Sequence, residues 1–299
     1  MTEADQRRQP GVQAVSVIVP LHNGEAFIGD CLASVPPEAE LIVVDDASRD
    51  GAPEVVRRRF PRAVLVRNEQ NLGFAASCNR GISISTGRVK VFLNSDARLH
   101  PGALDELVAA FDDPAVGIAG PRLLFPDGRH QVSAASFPTP LRLFLGSLRM
   151  ARRDHRTDRD VDWVMGTCLA IHERCLADVG GFDERYFLYV EETDLCWRAR
   201  RAGWRVRYVA SGTVDHDIAG SIEQPSNAGR HLAGEARFML TTGGAGALVR
   251  WRVARTLGAG FRIAALALPA LWSSRARLRL RWQVSALGNA LRIAVPTDS

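Results

Sequence analysis

Three carboxylates, Glu191, Glu192 and Asp194, crowd into four residues of the stretch YFLYVEETDLCWR, between an aromatic run and an arginine-rich segment. Acids that open a helix complement its dipole, and Thr193 or Asp194 can cap it, so a structural role stands beside a chemical one. Glu191 and Asp194 are three apart and share a helical face, whereas Glu192 points elsewhere. Close like charges raise the pKa of one member of such a group, which is what a general base near neutral pH requires. A second set of polar residues closes a series of short apolar runs: Pro20 with Asn23, Asp45 with Asp46, Asn71 with Gly73, and Asn94 with Asp96. An acid such as Asp96 can cap the helix beginning near Pro101, or it can face a cleft as a ligand for a hard divalent cation. Mg²⁺ and Mn²⁺ take oxygen ligands and need few of them from protein when phosphates supply the rest. His216 lies on a loop after WRVRYVA, and Trp163 offers an aromatic face beside Gly166, a residue that permits close backbone approach.

The elements that must hold these groups follow from the apolar pattern. AVSVIVP, AELIVVDDAS, AVLVR and RVKVFLNSD are continuous β-branched runs, and helical patterns over 25–34, 51–59, 74–86 and 102–111 alternate with them. Such alternation implies a mostly parallel sheet buried on both faces, with ligands at the carboxyl ends of its strands. No turn carries G-x-G-x-x-G or G-x-x-x-x-G-K-[ST], so neither a dinucleotide fingerprint nor a P-loop is present. Beyond VGIAG the pattern changes to a hairpin signal at Asp127-Gly128 in LLFPDGRHQV, an alternating strand DWVMGTCLAIHE, a helix ending at Gly203, and a further strand.

Composition places the chain among soluble globular proteins, with 299 residues, 46% hydrophobic and 24% charged. The five cysteines are scattered through apolar segments without a C-x-x-C pair, and read as reduced, buried thiols of a cytoplasmic protein. Charge is uneven. From Arg237 onward ten arginines face one acid, Asp298, a net +9 within a chain of net +5, so the preceding residues sum to −4.

Seven blocks, VSVIVPLHN, LIVVDDASRDG, NLGFAASCNRGI, VFLNSDA, DWVMGTCLAIHE, VGGFDERYFLYVEETDLCWRARRAGWRVRYV and VDHDIAGS, stand in the order and spacing of the family 2 inverting glycosyltransferases. The resemblance is to their rhamnosyltransferase-like branch and spans about Ala14 to Ser221. It implies a GT-A fold, Rossmann-like with a mostly parallel sheet flanked by helices, a nucleotide-diphosphate sugar donor and a divalent metal, Mg²⁺ or Mn²⁺. By the same resemblance Pro20, Asn23 and Asp46 line the nucleoside pocket with Asp45 beside it, and Asn71 and Gly73 close the sugar-nucleotide face. Asp96 matches the last acid of the family's D-x-D motif and is the metal ligand, while Asn94 departs from its first acid. His216 matches a late metal-associated histidine. Trp163 and Gly166 fall in the acceptor block, Asp183 supports that loop or binds acceptor, Glu192 occupies the base position, and Glu191 and Asp194 are the neighbouring substrate-binding or supporting carboxylates.

The reading is therefore a metal-dependent transfer from a nucleotide sugar, with dTDP-rhamnose favoured, to a hydroxyl of a saccharide or polyprenyl-linked acceptor in cell-surface polysaccharide synthesis. The competing classes are a sugar nucleotidyltransferase, which usually carries an early glycine-rich basic loop absent from PLHNGEAF, and a catalytically silent sugar-nucleotide-binding protein. Three segments are expected: a lead-in over 1–13, the GT-A domain over 14–240, and a basic amphipathic helical extension over 241–299. The longest uncharged run of the extension, 263–274, is too short to span a bilayer. Arginines with Trp251, Phe261 and Trp272 instead predict binding to an anionic membrane surface at the inner face of the cell membrane. No nucleic-acid partner is expected.

Overall fold

The computed structural model describes residues 15–146, 156–217, 225–267, 284 and 288. The lead-in and most of the extension, Trp272 included, lie outside them. The first half builds β1 (Val15–Leu21), α1 (Glu25–Ala33), β2 (Glu40–Asp45), α2 (Ala52–Arg59), β3 (Val64–Arg67), α3 (Phe74–Ile84), β4 (Val89–Leu93), β5 (Ala97–Leu99), α4 (Ala103–Ala109) and β6 (Val116–Leu124). There follow β7 (Ala134–Ala135), α5 (Pro140–Gly146), β8 (Arg159–Val161), β9 (Trp163–Val164), β10 (Cys168–His172), α6 (Glu173–Val179), α7 (Glu191–Arg201), β11 (Arg205–His216) and α8 (Pro225–Ala267).

The main sheet runs β3-β2-β1-β4-β10-β6-β11-β5, with β8 also paired to β11. Strands β3, β2, β1 and β4 are parallel; β2, β1 and β4 are buried on both faces, as their unbroken apolar runs require, while β3 is the half-exposed edge. The alternating rhythm alone would place β6 next in line. Instead β10, reached much later in the chain, inserts antiparallel between β4 and β6, and its five residues CLAIH are all buried. Sequence adjacency does not reveal such an insertion, because β10 makes the same apolar pattern wherever it pairs.

Strand order reverses at β1, which has β2 on one side and β4 on the other. Pairing with β2 continues to Leu21↔Asp45, whereas pairing with β4 stops at Ile18↔Phe92. The sheet is therefore open on the β4 side beyond Ile18, where Pro20 has no N–H to donate in any case. Such a switch point at the carboxyl ends of strands is where open α/β sheets bind ligands. All five cysteines are free and buried, and burial pushes the Cys168 thiol up to about 12.

The described residues fall into two compact units, one within Met1–Ser136, Asp154–Phe187 and Glu191–Ala219, the other within Phe137–Arg153, Leu188–Val190 and Gly220–Ser299. The second is built on α8, which crosses residue 240 without interruption and breaks at Gly244, where φ is +67° and a side chain would be strained. Across that break Trp251 Nε1 donates to Glu235 Oε2 (3.1 Å), and Arg255 pairs with the same carboxylate. Trp251 is 0% exposed. This corrects its expected place in a lipid boundary: the indole found a buried partner 16 residues back. No helix among the described residues is long and apolar enough to cross a membrane.

Candidate active site

At the β1 and β2 ends the chain ties its own polar groups together. Asp46 Oδ1 accepts from Asn68 Nδ2 (2.8 Å) and Leu72 N (2.9 Å), and its Oδ2 accepts from Gly73 N (2.8 Å). Asp45 is wholly buried, with Oδ1 accepting from Ser48 N (2.9 Å) and Oδ2 ion-paired to Arg67 (3.0 Å). Neither carboxylate is open to solvent, so they shape this end from within. What faces outward is an amide cluster: Asn23 Nδ2 and Asn71 Nδ2 both donate to His22 Nε2, at 3.0 and 3.1 Å, while His22 Nδ1 donates to Asp46 O (2.7 Å). His22 entered the sequence reading only as part of the strand-end run and proves to be the hub of this cluster. Gly73 is required by its surroundings, since φ is +91° and a Cβ there would lie 2.3 Å from Phe187 O.

The β4 end lies beside the β1 end, with an ideal Cβ on Gly24 falling 3.2 Å from Ser95 Oγ. Asn94 N donates to Thr167 O (2.9 Å), which joins this loop to the segment before β10. Asp96 caps no helix, because α4 begins after Gly102 without a side-chain cap. Its Oδ1 instead stands 3.4 Å from His216 Nε2, at the end of β11, where His216 pairs with Ala97. Both side chains are mostly buried, at 19% and 12% exposure. Among the described residues no three His, Cys, Asp or Glu side chains converge as a metal site.

The three acids of α7 are all buried. Two residues in left-handed backbone, Tyr189 (φ +72°) and Val190 (φ +75°), lead into the helix. Glu192 backs onto Gly166, whose ideal Cβ would sit 3.5 Å from the Glu192 side chain. Burial, then the charge of Glu192, pushes the Glu191 carboxyl well above its ordinary value, and Glu191 Oε2 has no hydrogen-bond partner among the described residues. Burial also raises Asp194, against the opposing pull of Arg198, whose Nε donates to Asp194 Oδ2 (2.7 Å). The same guanidinium donates to Val179 O and Gly181 O. Asp194 thus ties α7 to the loop after α6, away from solvent. Asp183 is engaged by Arg185 at 2.7 Å, and Trp163 Nε1 donates to Ser136 O (3.1 Å). Gly166, Thr167, His216, Asp96 and Glu192 form one connected group, because Thr167 Oγ1 also lies 3.4 Å from His216 Nδ1.

The family model of Glycosyl transferase family 2 matches residues 16–180, more than half of the chain. The chain belongs to glycosyl transferase family 2. Among the relatives of this family 2 glycosyltransferase is the N-acetylglucosaminyl-diphospho-decaprenol L-rhamnosyltransferase of Mycobacterium tuberculosis, 32% identical over 223 residues, which cover 66% of this chain and 72% of that one. The pre-mycofactocin glycosyltransferase of the same organism is 28% identical over 308 residues, covering 95% of this chain and 62% of the relative. Among solved structures, the mannosyltransferase PcManGT of Pyrobaculum calidifontis, in complex with GDP-Man and Mn²⁺, superposes with a TM-score of 0.61 at 18% identity, covering 93% of this chain and 86% of that one. TarS 1-349 of S. aureus, in complex with UDP, gives 0.53 at 19% identity over 93% and 80%. The fold is that of the GT-A glycosyltransferases, and the sugar nucleotidyltransferase and the silent binding protein drop out as readings of the family 2 chain.

Proposed function

We propose that this glycosyltransferase works with inversion, taking its sugar from a nucleoside diphosphate donor, dTDP-rhamnose by preference, and passing it to a hydroxyl of a saccharide held on a polyprenyl diphosphate. The relative named as a rhamnosyltransferase acting on a decaprenol-linked saccharide supports both halves of that reading. The observation that carries it is the Asp96–His216 pair. A carboxylate oxygen and an imidazole nitrogen 3.4 Å apart suit a divalent cation whose remaining ligands are waters and phosphate oxygens. Mn²⁺ or Mg²⁺ bound there supplies charge neutralisation on the departing diphosphate.

The chain's own residues divide the remaining work. Glu192, backed by Gly166, takes the proton of the acceptor hydroxyl as it attacks the anomeric carbon. Burial raises the Glu191 carboxyl well above its ordinary value, which favours the neutral form beside Glu192. Asp194 holds α7 through Arg198 and serves as a positioning carboxylate. Asn23 and Asn71, with the Pro20 and Gly73 backbone, face the nucleoside, and Asp45 and Asp46 hold that face from inside. Trp163 and the loop braced by Asp183–Arg185 lie on the acceptor side.

An anionic lipid surface is the partner of α8 beyond Gly244. Val249, Val253, Leu257 and Phe261 recur every four residues and are all exposed, whereas Trp251 is buried. Arg250 and Arg252 are exposed beside them, and no acid occurs between Arg237 and Thr297. Apolar insertion flanked by arginine is the chemistry of interfacial helices.

The deciding experiment is thermal unfolding of the parent and of Asp96→Ala against a panel of UDP-, dTDP- and GDP-sugars, with Mn²⁺ or Mg²⁺ and with EDTA. Stabilisation by one nucleotide family, dependent on metal in the parent and lost in Asp96→Ala, is expected through binding linkage. Equal metal-dependent stabilisation of parent and variant overturns the metal assignment.

A further inference from the structure

We propose that Gln131 is the positioning residue of the cation site: its carboxamide sets which nitrogen of His216 faces Asp96. The inference rests on the reading of Asp96 and His216 as the cation pair.

The hairpin signal LLFPDGRHQV supplies the starting point. Gly128, at φ +78°, turns the chain, Gly128 N donates to Phe125 O (2.8 Å), and Phe125 N donates to Arg129 O (2.7 Å). The return leg brings Gln131 back beside the β6 end, where Gln131 N donates to Leu123 O (2.9 Å) and Ser133 Oγ donates to Gln131 O (3.1 Å). The parallel pairing of β6 with β11 finishes at Leu124↔Asp215. The Gln131 side chain reaches across that end, with Nε2 donating to His216 O (2.6 Å) and to Leu124 O (3.2 Å).

Those two carbonyls accept only, so the atom facing them is the amide nitrogen. Oε1 is therefore the atom 2.9 Å from His216 Nδ1. An acceptor at Nδ1 requires the ring hydrogen there. In the neutral imidazole that ligation of a cation requires, that one hydrogen sits on Nδ1, and Nε2, 3.4 Å from Asp96 Oδ1, is the nitrogen left to ligate. Gln131 is 6% exposed and uses both ends of its amide on one residue, clamping the His216 backbone and ring together. Simple packing at this position needs neither polar atom. A histidine ligand held through its second nitrogen is the usual way a ligand's tautomer and aim are fixed, and losing such a partner costs 10- to 100-fold in metal affinity.

The test titrates Mn²⁺ into the full chain with dTDP, and separately with UDP, and reads the metal-dependent rise in unfolding temperature. Gln131→Met, which fills the space without polar atoms, and Gln131→Asn, which stays polar but falls short of His216, should each raise the half-saturating Mn²⁺ concentration about 10-fold or more. Stabilisation by nucleotide in EDTA should stay at the parent's level in both. In a His216→Ala background the same two changes should shift half-saturation by less than about twofold, because the residue they act through is gone. Half-saturation unchanged by both Gln131 variants, or shifted as much with His216 absent as with it present, overturns the proposal. If His216→Ala and Asp96→Ala themselves leave half-saturation at the parent's value, the cation site fails as a whole, a result distinct from failure of Gln131 alone.

Discussion

Glu191 and Glu192 are neighbours in sequence, both buried at the start of α7. Glu191 is 4% exposed with an oxygen that has no hydrogen-bond partner among the described residues, and its raised pKa follows from burial first and from Glu192 second. Glu192 lies against Gly166, where an ideal Cβ would sit 3.5 Å from its side chain. Glu192→Gln is expected to keep nucleotide-dependent stabilisation and to lose about 10²-fold or more in transfer rate, the usual size of a positioned general base. Glu191→Gln should keep the rate within a few-fold and change the pH dependence of stability. In the folded chain Glu191 holds its proton above the ordinary value of 4.5, where the unfolded chain has released it, so stability falls as pH rises through that window. Unfolding curves should show Glu191→Gln close to the parent in acid and more stable than the parent by about pH 8. A decline with pH that persists in Glu191→Gln assigns the titration to another group.

Helices α7 and α8 are each held by one buried carboxylate that meets an arginine. In α7 the pair is local, Asp194 with Arg198 one turn on, and the arginine also reaches two carbonyls near the end of α6. In α8 the pair spans the break at Gly244: Glu235 receives Trp251 Nε1 and Arg255 from the far side. Burial works to raise the Glu235 carboxyl, but Arg255 and then His231 outweigh it, and the group sits below its ordinary range. Its contribution to stability is therefore present above the unfolded carboxyl's pKa and is lost as pH falls through that range. Arg255→Met leaves the Glu235 charge buried with its main partner removed, and should cost about 3–5 kcal/mol at neutral pH. Denaturant titration should show that cost shrinking in acid, where the carboxylate of the parent protonates too. A cost below about 1 kcal/mol at neutral pH, the range of solvent-exposed pairs, rules the latch out.

At the scale of the whole molecule the uneven charge has a location. The excess arginine begins on α8, and the exposed apolar stripe from Val249 to Phe261 lies on the same helix. Sedimentation with vesicles should bring the full chain down with anionic lipid at low salt, less with neutral lipid, and less again as salt screens the arginines. Val253→Asp with Leu257→Asp, both at exposed positions, should abolish sedimentation with little change in unfolding temperature. A parent chain that stays in the supernatant with anionic vesicles at low salt removes α8 as a membrane contact.

Short-range physics made much of this protein legible from its residues. Short β-branched runs alternating with helical patterns point to parallel strands, so the set β3-β2-β1-β4 and the polar residues at its ends are readable from the sequence. Seven blocks in one order and spacing carry the family. Long-range pairing was not legible. The insertion of β10 between β4 and β6, the burial of Asp45 and Asp46 behind an amide cluster centred on His22, and the capture of Trp251 by Glu235 join residues far apart in the chain. Gln131 is the clearest case. Nothing in LLFPDGRHQV marks its glutamine, which gains meaning only when a turn returns it to the end of β6 and β11, beside His216. Residue type and local period decide which elements form, whereas the partner of a buried polar atom is decided by which strands pack side by side, and only the tertiary structure determines that.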